Sequence, residues 1–358
     1  MKAEVNILKA AGIINEGASV EKTGSGFNAD GYRITHPDGT TRFARILNPG
    51  LLGNNTALER ALSATEGATT LPHTLQAIPI GITEDGVIDL RKITEVVTVG
   101  EFMPDGAVNF LKLLRQEKTD GLAGEVAPLA LRMAEVMADI HNGDMDISTD
   151  AADRAALYSR STRRVIHDSE LTAGVADLVD FSKITWTTPY EIDVVLPGLM
   201  NQARRAMGSH PERLTPIHGD FWAANIFFHP DKGVITNDTR IGCGEPATDA
   251  GWMIGEFLAQ DLVRFGEYGH DFTNVAATSL QRYQELRPDP DLSRYMGLGY
   301  GFQAFAEAVF TPDLNGTQRR TLLATAIGAL VNQTERKELQ LTNMNRYTLK
   351  GLQILERR

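Results

Sequence analysis

The stretch HGDFWAANIFF sets His218, Asp220 and Asn225 between apolar flanks, with Asp238 thirteen residues beyond Asn225. A carboxylate or amide in an apolar frame is costly to bury alone, so such a cluster is either a satisfied turn or a working site. The following NIFFHPDKGVITND reads as two short strands around an HPDKG turn. Asp220 then leads into a turn, Asn225 leaves it, and Asp238 ends the second strand. Three such positions can converge on one point, where a hydroxyl and a magnesium ion could sit. Magnesium takes hard oxygen ligands, which Asn and Asp supply. An aspartate beside it can orient a hydroxyl and accept its proton, the role an aspartate plays in phosphoryl transfer.

That chemistry also asks for a glycine-rich turn over phosphates and a basic strand residue paired with a helix glutamate. TGSGFNADGYRI places Gly24, Ser25 and Gly26 between two strands, where backbone N–H groups could approach phosphate oxygens. TRFARIL places Arg45 mid-strand, and TALERAL places Glu59 on the next helix, within reach of Arg45. Singly these are ordinary residues of turns and half-buried strands; their order gives them weight.

The elements that must position them follow from periodicity. Residues 19–47 read as three antiparallel strands broken at TGSG and at HPDG. NNTALERALSATEG reads as a helix, and LQAIPIGIT and VIDLRKITEVVTV as two further strands. Beyond about residue 100 the apolar spacing turns helical in VNFLKLL, EVAPLALRMAEVMADIH, IDVVLPGLMNQARRAM and nearly everything past residue 249. The reading is α+β: a β-rich part over 1–97 and a larger helical part over 98–358 that holds one small hairpin.

The 358 residues carry a net charge of −11 and a pI near 5.3, which argues against nucleic acid or an anionic membrane surface as the main partner. The balance suits a cationic or metal-complexed small ligand. The N-terminal stretch lacks the apolar core of a signal peptide, and no run of about 18 apolar residues occurs, so a cytoplasmic protein is expected. A single cysteine, Cys243, excludes an intrachain disulfide and a multi-cysteine zinc site.

IHGDFWAANIFF resembles the HGDxxxxN signature of the aminoglycoside phosphotransferase and choline kinase superfamily, small-molecule kinases with a protein-kinase-like two-lobe fold. NDTRIGCGEPATDAGW is similar to that family's IDWxxxxxGDPxxD stretch, with Gly244, Glu245, Pro246 and Asp249 in register. GSGFNADGYRI resembles its glycine-rich loop and LERALSATEGATTLP its N-lobe helix, so the likeness spans roughly residues 20–260. The resemblance implies ATP, with GTP as an alternative, as phosphoryl donor and a small hydroxylated acceptor. It makes Asp220 the catalytic aspartate and Asn225 and Asp238 the Mg²⁺ ligands. Gly24, Ser25, Gly26, Arg45 and Glu59 become the phosphate-binding set. Thr94 to Val97, with Glu95 and Val97 singled out, become the hinge that reads adenine through backbone groups. His218 is implied as a structural support, and Asp249 as a hydrogen-bond partner of the catalytic-loop backbone.

Three departures stand out. Arg45 replaces the usual lysine, a fork in place of a point charge. Thr236 and Asn237 precede Asp238 where the family has apolar residues, which leaves Asn237 as an alternative metal ligand. Glu245 replaces an aspartate. A nucleotide-binding regulator without turnover is the competing reading; a metallophosphoesterase, suggested by HGD and His229, lacks the further histidines it would need. Elsewhere the ordinary readings are a helix C-terminus favouring His141 through the dipole, a solvated helix face for the arginines of SRSTRR, and helix capping for DMDISTDAAD.

Overall fold

HPDG makes the turn its residues encode. Gly39 takes φ 82°, the Gly39 N–H donates to His36 O at 2.9 Å, and Asp38 Oδ1 accepts from the Thr40 N–H and hydroxyl. The computed structural model describes residues 2–10, 12–25, 29–47, 77–83, 93–101, 103–116, 121–144, 149–167, 183–236 and 242–357. The chain divides into two compact units, Met1–Ala107 with Phe228–Gly242, and Val108–Phe227 with Cys243–Arg358.

In the first unit a helix, α1 (Lys2–Ala10), precedes an antiparallel sheet of β1 (Ser19–Ser25), β2 (Ala29–Thr35), β3 (Thr41–Leu47), β4 (Ala77–Thr83) and β5 (Ile93–Glu101), in the order β1-β2-β3-β5-β4. Period-two alternation sends Tyr32, Ile34, Ala44 and Ile46 to one face, where they pack with Leu8 and Ile13. Arg45 therefore points to the other face, beside the Phe43 ring at 5.6 Å. The helix expected over 54–67 lies outside the described residues. β5 runs on to Glu101, further than the sequence pattern suggested.

The second unit is mostly helical: α2 (Phe110–Leu114), α3 (Leu122–His141), α4 (Ala151–His167), α5 (Leu196–Met207), α6 (Pro246–Phe265), α7 (Asp271–Leu286), α8 (Leu292–Phe310), α9 (Gly316–Thr334) and α10 (Met344–Glu356). A turn of π-helix, Glu191–Val195, leads into α5. Asp150 caps α4 by accepting from the N–H groups of Ala152 and Asp153, so the acidic run there does cap a helix. α6 is buried along 246–262 because α8 approaches it closely: a Cβ on Gly299 would lie 2.4 Å from the Thr248 carbonyl oxygen. Two residues to either side, and so on the opposite face, Gly297 and Gly301 face Gln333 and Leu330 of α9. Small residues on both faces of α8 thus let three helices stack.

Short strands complete the fold. β6 (Val108–Asn109), β8 (Ile226–His229) and β9 (Gly233–Thr236) form one three-stranded sheet, and β7 (Thr215–Pro216) pairs with β10 (Cys243–Gly244). No helix among the described residues is long and apolar enough to cross a membrane.

Candidate active site

Ile217, His218, Phe221 and Ala223 are all buried, which draws the polar loop between them inward. Gly219 turns it with φ 76°, a conformation that disfavours other residues. The Trp222 N–H then donates to Asp220 O, and the Asn225 N–H to Trp222 O, each at 3.0 Å, closing a 3₁₀ turn over Ala223–Asn225. Asn109 Nδ2 clamps this turn by donating to Ala224 O at 2.7 Å.

Asp220 and Asn225 meet at the centre, both 6% exposed. Asn225 Nδ2 donates to the Asp220 main-chain oxygen at 3.0 Å and to Oδ2 at 2.8 Å. The amide's donor end is thereby committed to Asp220, and its Oδ1 is left as the hard oxygen of the kind Mg²⁺ selects. Asn225 fits a metal-ligand role on that ground. Asp238 and its alternative Asn237 lie outside the described residues. Among the described residues no group of three His, Cys, Asp or Glu side chains could hold a metal, while Mg²⁺ commonly takes only one or two protein oxygens.

The loop is held from behind by Asp249, in the first turn of α6. Its Oδ2 accepts the His218 N–H at 2.8 Å and its Oδ1 the Gly219 N–H at 2.9 Å, the backbone role the resemblance implies. His141 Nε2 lies 3.1 Å from Oδ2, and His141 Nδ1 lies 2.8 Å from the Tyr283 hydroxyl. A carboxylate only accepts, so Nε2 carries the hydrogen and Nδ1 accepts from Tyr283. Burial, the largest influence, keeps the His141 pKa below its ordinary value despite the neighbouring carboxylate. The imidazole is therefore neutral, and the helix-dipole reading of His141, which needs a cation, gives way to one of orienting Asp249. The Thr215 hydroxyl donates to His141 O, tying α3 to β7.

Arg213 anchors the start of α6. Its Nε and Nη2 donate to Glu245 at 2.9 and 2.7 Å, while Nη1 and Nη2 donate to Asp289 at 2.8 Å each. Burial opposes the Arg213 charge, but the two carboxylates outweigh it and hold its pKa above the ordinary value. Glu245 also accepts from the Tyr158 hydroxyl at 3.0 Å and from the Ala247 N–H, so it caps α6 in the place the resemblance gives to an aspartate. Arg287 closes the circuit, 3.3 Å from the Tyr283 hydroxyl and 3.6 Å from Asp289. Arg213, Tyr158 and Asp289 carried no motif signal; they are found only once the fold brings them together.

In the first unit the sheet register aligns several expected residues. Gly24, Gly31, Arg45 and Thr98 form one cross-strand row, and Ser25, Asp30, Ile46 and Val97 the next. Gly24 and Ser25 lie within β1, not in the turn after it, and Gly26 and Glu59 fall outside the described residues. Glu95 and Val97 lie inside β5, where Val97 pairs with both Ile46 and Ile80. His229 is taken up locally: Nδ1 accepts from the Asp231 and Lys232 N–H groups and Nε2 donates to Asp105 O at 3.1 Å. Burial pushes the Cys243 thiol up to about 11, a structural rather than a nucleophilic setting.

No family model matches the chain, and neither does any curated protein. Among solved structures it is similar to an aminoglycoside-3'-phosphotransferase of type VIII, at 16% identity over 84% of this chain and 98% of that one, with a TM-score of 0.48. It is similar to the choline kinase LicA from Streptococcus pneumoniae, at 12% identity over 93% and 100% of the two chains, with a TM-score of 0.49. It is similar also to a Plasmodium vivax ethanolamine kinase, at 9% identity over 99% and 87%, with a TM-score of 0.49. These three solved proteins are an aminoglycoside phosphotransferase, a choline kinase and an ethanolamine kinase, all of them phosphotransferases or kinases of small molecules.

Proposed function

We propose that the protein is an ATP-dependent O-phosphotransferase of protein-kinase-like, two-lobed architecture, with GTP as an alternative donor, that phosphorylates a hydroxyl of a small molecule. The observation that carries this reading is the Asp220–Asn225 pair, set on a buried loop whose two backbone N–H groups are held by Asp249. Asp220 orients the acceptor hydroxyl and takes its proton as the acceptor oxygen bonds to the γ-phosphorus and the bond to the β-phosphate oxygen breaks, releasing ADP. Asn225, with Asp238 or Asn237, would hold Mg²⁺, whose charge offsets that of the transferring phosphoryl group. Gly24, Ser25, Gly26, Arg45 and Glu59 would grip the phosphates, and Glu95 and Val97 would read the base. Catalysis is then mostly positioning and electrostatics, as a loose transition state requires.

The net charge of −11 favours a cationic acceptor such as an aminoglycoside-like antibiotic, with choline-like and sugar alcohols next. The test is ADP release from Mg-ATP, and separately Mg-GTP, across aminoglycosides, peptide antibiotics, choline analogues and sugar alcohols, with Asp220→Asn as blank. Stimulation by one chemical class supports the kinase and identifies its acceptor. Nucleotide binding with no stimulated turnover by any member would favour the regulator.

A further inference from the structure

Arg163, in the SRSTRR run of α4, and Arg204 and Arg205, in the last turn of α5, lie on two helices that pack against each other, near enough for the charges of Arg163 and Arg205 to act on Arg204. Arg163 and Arg205 are exposed and Arg204 is half-buried. Among the described residues none of the three side chains makes a hydrogen bond or an ion pair, and the Arg204 Nε is buried without a partner. Two other half-buried arginines of the unit are matched by carboxylates, Arg213 by Glu245 and Asp289 and Arg320 by Glu191, while Arg264 and Arg319 donate to main-chain carbonyls. The charges that act on Arg204 are Arg163 and Arg205, both of its own sign; burial first, and then these two, push its pKa down. The carbonyl ends of the helices ease the repulsion but offer no counter-ion to a guanidinium fork. In a chain with 46 acidic and 35 basic residues, three neighbouring arginines with no carboxylate partner among the described residues are a costly arrangement, which an anion would relieve.

We propose that Arg163, Arg204 and Arg205 form a binding site for the phosphate group of a small ligand, separate in its residues from the Asp220 loop. A planar fork donates two parallel hydrogen bonds to phosphate oxygens, and neighbouring forks can share one tetrahedral group. The proposal does not depend on the kinase reading.

The test is thermal unfolding of the full chain in rising inorganic phosphate, against chloride at equal ionic strength and against acetate. At about ten times the half-saturating concentration, phosphate should raise the wild-type Tm by about 2 °C over chloride. Arg204→Gln should remove that rise, and so should Arg163→Gln, which alters an exposed side chain and leaves folding intact; Arg346→Gln, on α10, should keep it. Broadening of the phosphate ³¹P resonance by wild-type protein but not by Arg204→Gln would support the site directly. An equal rise in chloride or acetate, or an undiminished phosphate rise in both Arg163→Gln and Arg204→Gln, would overturn it.

Discussion

Asp220 and Asn225 specify each other. The amide donates to both the main chain and the side chain of Asp220, so rotating the Asn225 side chain breaks two bonds at once. An asparagine at 220 can still accept from Asn225 through its own Oδ1, while it can no longer take a proton from a substrate hydroxyl. Asp220→Asn should therefore fold normally and retain nucleotide affinity, with kcat lower by about 10²- to 10⁴-fold, the usual weight of a general base. Steady-state kinetics beside a nucleotide titration separate the two effects; near-normal turnover would remove Asp220 from the chemistry. HGDxxxxN was legible in the sequence because its members lie within eight residues and a loop can close over that span.

At the scale of elements, the same loop depends on α3 and α6, and this part was not legible. His141 and Asp249 are 108 residues apart, and Arg213 and Asp289 are 76 apart. Local periodicity reports which face of a helix is buried, not which distant polar group meets it there. His141→Ala removes one of the three donors to Asp249 and empties a fully buried site, so it should cost about 2–4 kcal/mol in chemical denaturation. Because Asp249 holds the loop backbone, kcat should fall as well, and His141→Asn, which can still donate, should recover part of it. The stacking of α6 on α8 was hidden for a related reason: glycine in a helix reads as a weak point until its neighbour is known. Gly299→Ala pushes a methyl group into the Thr248 carbonyl and should destabilise by about 1–3 kcal/mol or more. Gly198→Ala, in open space on α5, should stabilise by about 0.5–1 kcal/mol, and denaturant midpoints of the two variants should move in opposite directions.

At the scale of the whole molecule, two buried groups make stability depend on pH with opposite slopes. Glu256 of α6 lies against Glu307 of α8, whose oxygens accept from Gln303 Nε2 at 2.7 Å and from the Thr311 hydroxyl. Burial first, and then the Glu307 carboxylate, hold the Glu256 pKa well above 4.5, with Arg115 acting the other way. The folded state thus keeps a proton that the unfolded chain gives up above its ordinary pKa. The stabilisation from this proton is complete below pH 4.5 and is lost as pH rises through the folded value. His141 works in reverse: burial holds it below 6.5, so stability is lost as pH falls from 6.5 through its folded value. Between these limits the two slopes oppose each other; above 6.5, of these two groups, Glu256 alone still acts. Glu256→Gln replaces the protonated acid by a neutral isostere, and should leave the midpoint near pH 4.5 almost unchanged while raising it increasingly toward pH 8. Denaturation midpoints across that range test this directly. Parallel wild-type and Glu256→Gln curves would mean that the pair releases its proton without cost, and that a counter-charge reaches it inside the helical unit.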